Sequence, residues 1–207
     1  MIQAVIFDVG GVLIRTHGRT SRSQWEEKLG LAEWESEEIV FNSEMGKKAQ
    51  QGEVADSDLW AWVGQRLRLD ETELAAFYQG FWANDVLDIE LVEFIRGLRP
   101  SYQTAIISNA TDNLRHALTH THKIADAFDL IVCSAEEKVM KPDGRIYQRT
   151  LQRLGRTAAE IVFIDDFQHN IDAAHSLGMH TIHFQPGIDV PAELARLGVM
   201  LKKQTSK

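Results

Sequence analysis

Apolar residues follow two rhythms along this 207-residue chain. Compact apolar runs near 3–8, 103–108, 129–133, 161–165 and 180–184 are each short enough for one strand, and several stop abruptly at Gly, Asn or Asp. Between them lie stretches with helical spacing. Ile146, Tyr147, Leu151 and Leu154 fall on one helix face, with Asp143 placed to cap its start and Gly155 to stop it. Thr157-Ala-Ala-Glu160 then has the spacing of a capping box. This alternation predicts an α/β fold, a parallel sheet covered by helices on both faces.

Residues 15–85 break the rhythm. They carry all five tryptophans (Trp25, Trp34, Trp60, Trp62, Trp82) and predict helices at about 21–29, 36–45, 56–68 and 71–82. Asp70-Glu-Thr-Glu73 has capping-box spacing before the last of these. The tryptophans could line a substrate pocket, but the expectation is that they form the core of a small helical bundle, which needs large apolar side chains to hold together.

Chemistry gathers where the apolar runs end. The first run delivers Asp8 to a break at Val9-Gly10-Gly11, the second ends at Ser108-Asn109, and another ends at Asp165-Asp166; Lys141-Pro142-Asp143 follows a polar loop. In an open parallel sheet, ligands bind beyond the carboxyl ends of the strands, so these residues are expected to converge. Asp8, Asp165 and Asp166 offer hard oxygen ligands suited to Mg2+, Lys141 a positive charge, and Ser108 with Asn109 neutral donors. Three crowded carboxylates would repel without a cation, which makes a divalent metal the physical expectation.

In order and spacing, these segments resemble the haloacid dehalogenase superfamily, whose phosphatases carry a nucleophilic Asp, a Ser or Thr, a Lys and an acidic pair. The stretch Phe163–Met179 is especially similar to the last motif and the helix after it. The resemblance implies a three-layer, Rossmann-like core from residues 1–14 and 86–207, with 15–85 inserted as a small α-helical cap. It implies Asp8 as nucleophile, and Lys141 holding nucleophile and phosphate together. Ser108 and the Asn109 amide would bind phosphoryl oxygens, and Asp8, the Gly10 carbonyl and Asp166 would hold Mg2+. Asp165 and Asn170 would support the site. The implied substrate is a small phosphorylated molecule.

One position departs from the family pattern. A second Asp usually stands two residues after the nucleophile and serves as general acid and base; here Gly10 stands there. Its carbonyl can still reach a metal, but the proton-transfer side chain, typically worth about 100- to 10,000-fold, is missing. His17 is one candidate replacement, although an exposed linker histidine is its default reading. A noncatalytic relative that binds a phosphorylated ligand or partner is therefore an alternative reading. A 2-haloacid dehalogenase is a third, though such enzymes need no metal and leave the Asp165-Asp166 pair unexplained.

Composition narrows the remaining classes. With 22 basic against 30 acidic residues the net charge is -8, and no long basic run offers a surface for nucleic acid. The single cysteine, Cys133, excludes an intrachain disulfide and is expected as a buried strand thiol. No apolar stretch reaches the roughly 18 residues of a membrane helix, and the first strand starts at once, so a cytoplasmic location is expected. His116 and His120 have i, i+4 spacing but no acidic or cysteine partner nearby, which favours a solvated helix face over a metal site.

Overall fold

The computed structural model describes residues 1–201. Its strands are β1 (Ala4–Phe7), β2 (Ile14–Thr16), β3 (Asp85–Leu87), β4 (Gln103–Ser108), β5 (Leu130–Cys133), β6 (Ile161–Asp165) and β7 (His180–His183). Five of them form a parallel sheet in the order β5-β4-β1-β6-β7, with β1 at its centre. The protein is thus an α/β, Rossmann-like fold, and all five strands expected from the apolar runs are present.

Alternating side chains explain the layers. Val5 and Phe7 of β1, Ile106 of β4 and Val162 and Ile164 of β6 enter one buried cluster, closed by Leu91, Val92, Ile95 and Leu98 of the Ile89–Leu98 helix. Ala4, Ile6, Ala105, Ile107, Ile161 and Phe163 enter a second, against Ile146, Tyr147 and Leu154 of the Gly144–Leu154 helix. Both faces of the central strands are therefore buried, which is why these runs read as continuously apolar rather than alternating. Burying one such Ile or Phe side chain is worth about 1.5–3 kcal/mol. Asp143 caps its helix by accepting from the Arg145 amide, and Gly155 ends that helix in the left-handed conformation at φ 65°. The Thr157/Glu160 capping box also forms, on a single turn of 3-10 helix.

A third apolar cluster, of Ile39, Val40, Ala49, Leu59, Trp60, Val63, Phe77 and Phe81, lies wholly within the helical segment between β2 and β3. The expectation for its tryptophans holds in part. Trp60 is buried and Trp25 and Trp62 pack against the cluster, whereas Trp34 is 53% and Trp82 36% exposed. Helices run over Thr20–Leu29, Asp56–Leu67 and Glu71–Trp82, the last opened by the Asp70/Glu73 capping box.

The helix expected over 36–45 is instead two pieces. Glu35–Glu37 continues as a π-helical turn, Glu38–Asn42, and then breaks at Ser43, whose extended backbone (φ -60°, ψ 163°) starts a new helix, Glu44–Gln50. The Ser43 side chain accepts from the Gly46 amide, so a local cap outweighs continuation of the apolar pattern. β2 and β3 were not expected. They pair antiparallel, Ile14 with Leu87 and Thr16 with Asp85, and join the helical segment to the core. No helix among the described residues is long and apolar enough to cross a membrane.

Candidate active site

The sheet register brings the sequence-predicted residues together. Phe7 is level with Ile106 and with Ile164, and the Asp8 amide donates to the Ile164 carbonyl at 2.9 Å. Asp8 thus emerges between the ends of β4, which carries Ser108, and β6, which carries Asp165. The chain then turns back on itself, with the Leu13 and Ile14 amides donating to the Val9 carbonyl and the Gly11 amide to the Ile14 carbonyl. Ser108, Lys141, Asp165 and Asn170 are all buried with Asp8.

Lys141 is the hinge of the charge arrangement. Its Nζ lies 2.8 Å from Asp8 Oδ1 and 2.7 Å from Asp165 Oδ2. The Val9 amide also donates to Asp8 Oδ1, at 2.7 Å. Two donors on Oδ1 fix the carboxylate, and Oδ2 accepts no hydrogen bond among the described residues. Asp165 is fixed on every side, accepting from the Phe167 amide at 2.8 Å and from Asn170 Nδ2 at 3.0 Å besides Lys141. Asp165 thus holds Lys141 in place, and Asn170 in turn holds Asp165.

Asp166 is placed differently. Its Oδ1 and the Asn170 Oδ1 are the buried side-chain polar atoms that find no hydrogen-bond partner among the described residues. An unpartnered buried carboxylate oxygen costs free energy unless something absent from the chain binds it. Oxygens of Asp8, Asp165 and Asp166 lie within 4.8 Å of one another. With Lys141 as the cation of this group, three carboxylates face one positive charge. The donor set fits a hard divalent cation, which would satisfy the Asp166 oxygen and offset the excess negative charge.

The same imbalance sets the titration. Burial, then the charges of Asp165 and Asp166, push Asp8 up to about 7 against the opposing pull of Lys141. Asp166 is raised by burial and by the Asp165 charge. Burial alone would lower Lys141, but Asp8 and Asp165 hold it above its ordinary value.

Two adjacent glycines do different work. Gly11 has φ +76°, and a Cβ there would overlap the Asp166 carboxylate, so only glycine lets Asp166 approach the first loop. Gly10 has no left-handed φ, and a Cβ there would meet nothing within 4 Å. A side chain at position 10 is therefore sterically admissible. His17, considered as a substitute proton donor, is exposed at the start of the helical segment, with its amide bound to the Asn84 carbonyl.

Three features escaped the sequence reading. The Asn109 side chain, rather than only its backbone, takes part: Nδ2 donates to the Lys141 carbonyl at 2.9 Å, and Oδ1 accepts from the Lys141 amide at 2.8 Å. His183, at the end of β7 and level with Asp165, places Nε2 2.9 Å from the Asp166 carbonyl. Its position at a strand end was the available signal. The third feature is the seam formed by Asp56, Thr111 and Asp112, taken up below. Cys133 is buried as expected, and burial pushes its thiol up to about 11, far from nucleophilic use. His116 and His120 lie side by side, with ring centroids 4.6 Å apart and planes tilted by 47°, without joining any cluster of three metal-ligating residues among the described residues.

Several known proteins are similar to this chain. A sesquiterpene phosphatase of Aspergillus oryzae is 28% identical over 94% of this chain and 96% of its own length. A D-ribitol-5-phosphate phosphatase of Bacteroides thetaiotaomicron is 26% identical over 94% of this chain and 97% of its own. Among solved structures, a HAD family enzyme of Bacteroides thetaiotaomicron in complex with magnesium and inorganic phosphate superposes with a TM-score of 0.77. It covers 93% of this chain and 99% of its own at 21% identity, a likeness of fold. The haloacid dehalogenase-like hydrolase family matches residues 2–178, and the chain belongs to that family.

Proposed function

We propose that the protein is a Mg2+-dependent phosphatase that hydrolyses a small phosphate monoester through an aspartyl-phosphate at Asp8. The observation that carries this reading is the unpartnered, buried Asp166 Oδ1 beside Asp8 and Asp165. A site built to hold only Lys141 would not leave that oxygen unsatisfied. Asp8, the Gly10 carbonyl and Asp166 would hold the metal, which supplies charge neutralisation for the phosphoryl group when bound.

In this reading Asp8 Oδ2 attacks phosphorus in line with the departing alkoxide, and the P–O bond to the alcohol breaks as the acyl-phosphate bond forms. Lys141, anchored by Asp8 and Asp165, presents positive charge to the phosphoryl oxygens, and Ser108 with the Asn109 amide donates to them. Water then cleaves the acyl phosphate. Position 10 offers no side chain to protonate the leaving oxygen or to deprotonate that water. Turnover should therefore favour aryl esters, whose leaving groups depart unprotonated. Residues 15–85 would act as a cap that excludes water during transfer. The two phosphatase relatives act, by name, on dissimilar alcohols, so the substrate class stays at small phosphate monoesters.

Assaying p-nitrophenyl phosphate and a panel of alkyl phosphates with and without millimolar Mg2+ tests the proposal. Metal-dependent release of phosphate, abolished by beryllium fluoride, is the expected result. Bound metal with no turnover of any ester would favour the noncatalytic alternative, to which the loss of the acid at position 10 lends weight.

A further inference from the structure

The Asp56–Leu67 helix begins without a cap of its own: its N-cap residue is Ala55, which has no side-chain acceptor. The missing acceptor comes from the core. Asp112 Oδ1 accepts from the Asp56 amide at 2.9 Å, and the Thr111 hydroxyl donates to Asp56 Oδ1 at 2.7 Å. Thr111 and Asp112 belong to the loop that leaves β4 through Ser108 and Asn109. A second tie lies alongside, where Ser134 Oγ accepts from the Ala110 amide at 3.0 Å and donates to the Gln50 carbonyl at 2.6 Å. From beneath, the Cys133 thiol donates to the Thr111 carbonyl.

This loop does more than connect. Asn109, two residues before Thr111, grips the Lys141 backbone through both of its side-chain groups, and Lys141 in turn holds Asp8 and Asp165. An unbroken run of contacts therefore leads from the helical segment to the candidate nucleophile. We propose that Asp56, Thr111 and Asp112 are positioning residues that couple docking of the helical segment to the placement of Lys141 against Asp8. The inference rests on the phosphatase reading only for its kinetic consequence; the coupling itself is a property of the free protein.

The test uses the full chain, with hydrogen exchange followed by mass spectrometry and with p-nitrophenyl phosphate kinetics in Mg2+. Thr111→Val removes the donor and keeps the shape. It should speed amide exchange at least about threefold across 50–58, 109–113 and, decisively, 139–142. It should also lower kcat roughly tenfold, less than the 100-fold cost of a full 1 Å misplacement, with little change in melting temperature. Thr111→Ser, which restores the hydroxyl, should recover both. Asp112→Ala, which removes the acceptor of the Asp56 amide, is read in the same way should the valine variant fold poorly. Faster exchange confined to 50–58 and 109–113, with 139–142 unchanged, would reduce the contact to a structural clasp and overturn the proposal. So would an unchanged kcat. A wild type that turns over no ester would defeat the phosphatase reading alone, and the exchange pattern would still decide the coupling.

Discussion

Two clusters of charge, one at the carboxyl ends of the core strands and one in the helical segment with Asp85 of β3, are balanced in opposite ways. In the core, Asp8, Asp165 and Asp166 share Lys141, and Asp166 Oδ1 is left without a partner. In the helical segment, Arg19 and Arg22 face Glu26, Glu37 and Asp85. There Arg19 Nη2 lies 2.9 Å from Glu26 and 2.8 Å from Glu37, and Arg22 lies 3.2 Å from Glu37 and 2.9 Å from Asp85. Ser36 donates to Glu26 and Glu37, Thr16 to Asp85, and Arg22 Nε to the Phe81 carbonyl. Each carboxylate of the second cluster meets a guanidinium, and it holds none of the unpartnered buried side-chain atoms. The difference separates charge kept for ligands from charge kept for architecture: a structural network closes on itself, whereas a binding site holds groups in reserve.

The largest expected effect breaks the first cluster without touching the second. Asp8→Asn should lower turnover roughly 10,000-fold or more if Asp8 is the nucleophile. Stability should hold or rise, because a buried carboxylate already pushed up to about 7 is replaced by a neutral isostere. Trapping labelled phosphate on the wild type, with the label lost in the variant, checks the assignment. Label on another residue, or surviving activity, would sink it.

The mirror experiment is Glu37→Gln. Its carboxylate bridges Arg19 and Arg22, so the change should destabilise the protein by about 2 kcal/mol in urea unfolding. That is less than the 3–5 kcal/mol of a fully buried pair, because the cluster retains some solvent contact. kcat should stay within about twofold of wild type, because the partners of Glu37, namely Arg19, Arg22 and Ser36, all lie in the helical segment. A loss of activity as large as that of Asp8→Asn would show that the two clusters are not functionally separate.

How these clusters could be read from sequence differs too. The core site was legible because Asp8, Ser108, Asp165 and Asp166 lie at or just beyond strand ends, which a parallel sheet collects in one place; Lys141, in a loop well past β5, was legible through the order of the family's motifs. The helical cluster was not, since nothing in a one-dimensional pattern pairs Arg22 with Asp85, 63 residues away. The strands that bring them together, Ile14–Thr16 and Asp85–Leu87, are three residues each and too short to show a period. The capping signals at Asp70, Asp143 and Thr157 were local and therefore readable. Ser43 carried a signal of the same kind, outweighed by the apolar residues around it, and the trans cap of Asp112 on Asp56 had no local signal at all.

Gly10→Asp sharpens the comparison by adding a fourth carboxylate to the cluster already in deficit. Position 10 has no left-handed φ and open space for a Cβ, so backbone strain does not limit the change. Alkyl phosphate turnover should rise, by up to about 100-fold, with a smaller gain for p-nitrophenyl phosphate. Steady-state rates on both ester types decide it. Wild-type turnover of alkyl phosphates at the same rate as the variant would mean that another group already supplies the proton.

The last test is in pH, where the clusters should respond with opposite sign. Asp8 is raised from 3.8 to about 7 in the metal-free fold, so between those values the folded state binds a proton that the unfolded chain has released. Stability from this site is therefore greatest at low pH and falls as pH climbs from about 4 to about 7. For Glu37, burial works to raise it, but Arg19, Ser36 and Arg22 together hold it down to about 2 against an ordinary 4.5. Its contribution is present above pH 4.5 and lost as pH falls toward 2. Metal-free protein should then melt highest near pH 4–5. Mg2+ competes with the Asp8 proton, so the rise in melting temperature on adding millimolar Mg2+ should grow from pH 5 to 7.5. Melts from pH 2 to 7.5 in EDTA and from pH 5 to 7.5 in Mg2+, repeated with Asp8→Asn and Glu37→Gln, separate the two limbs. The alkaline decline should vanish with the first substitution and the acid decline shrink with the second. A Mg2+ response independent of pH, or none, would remove Asp8 from the metal site.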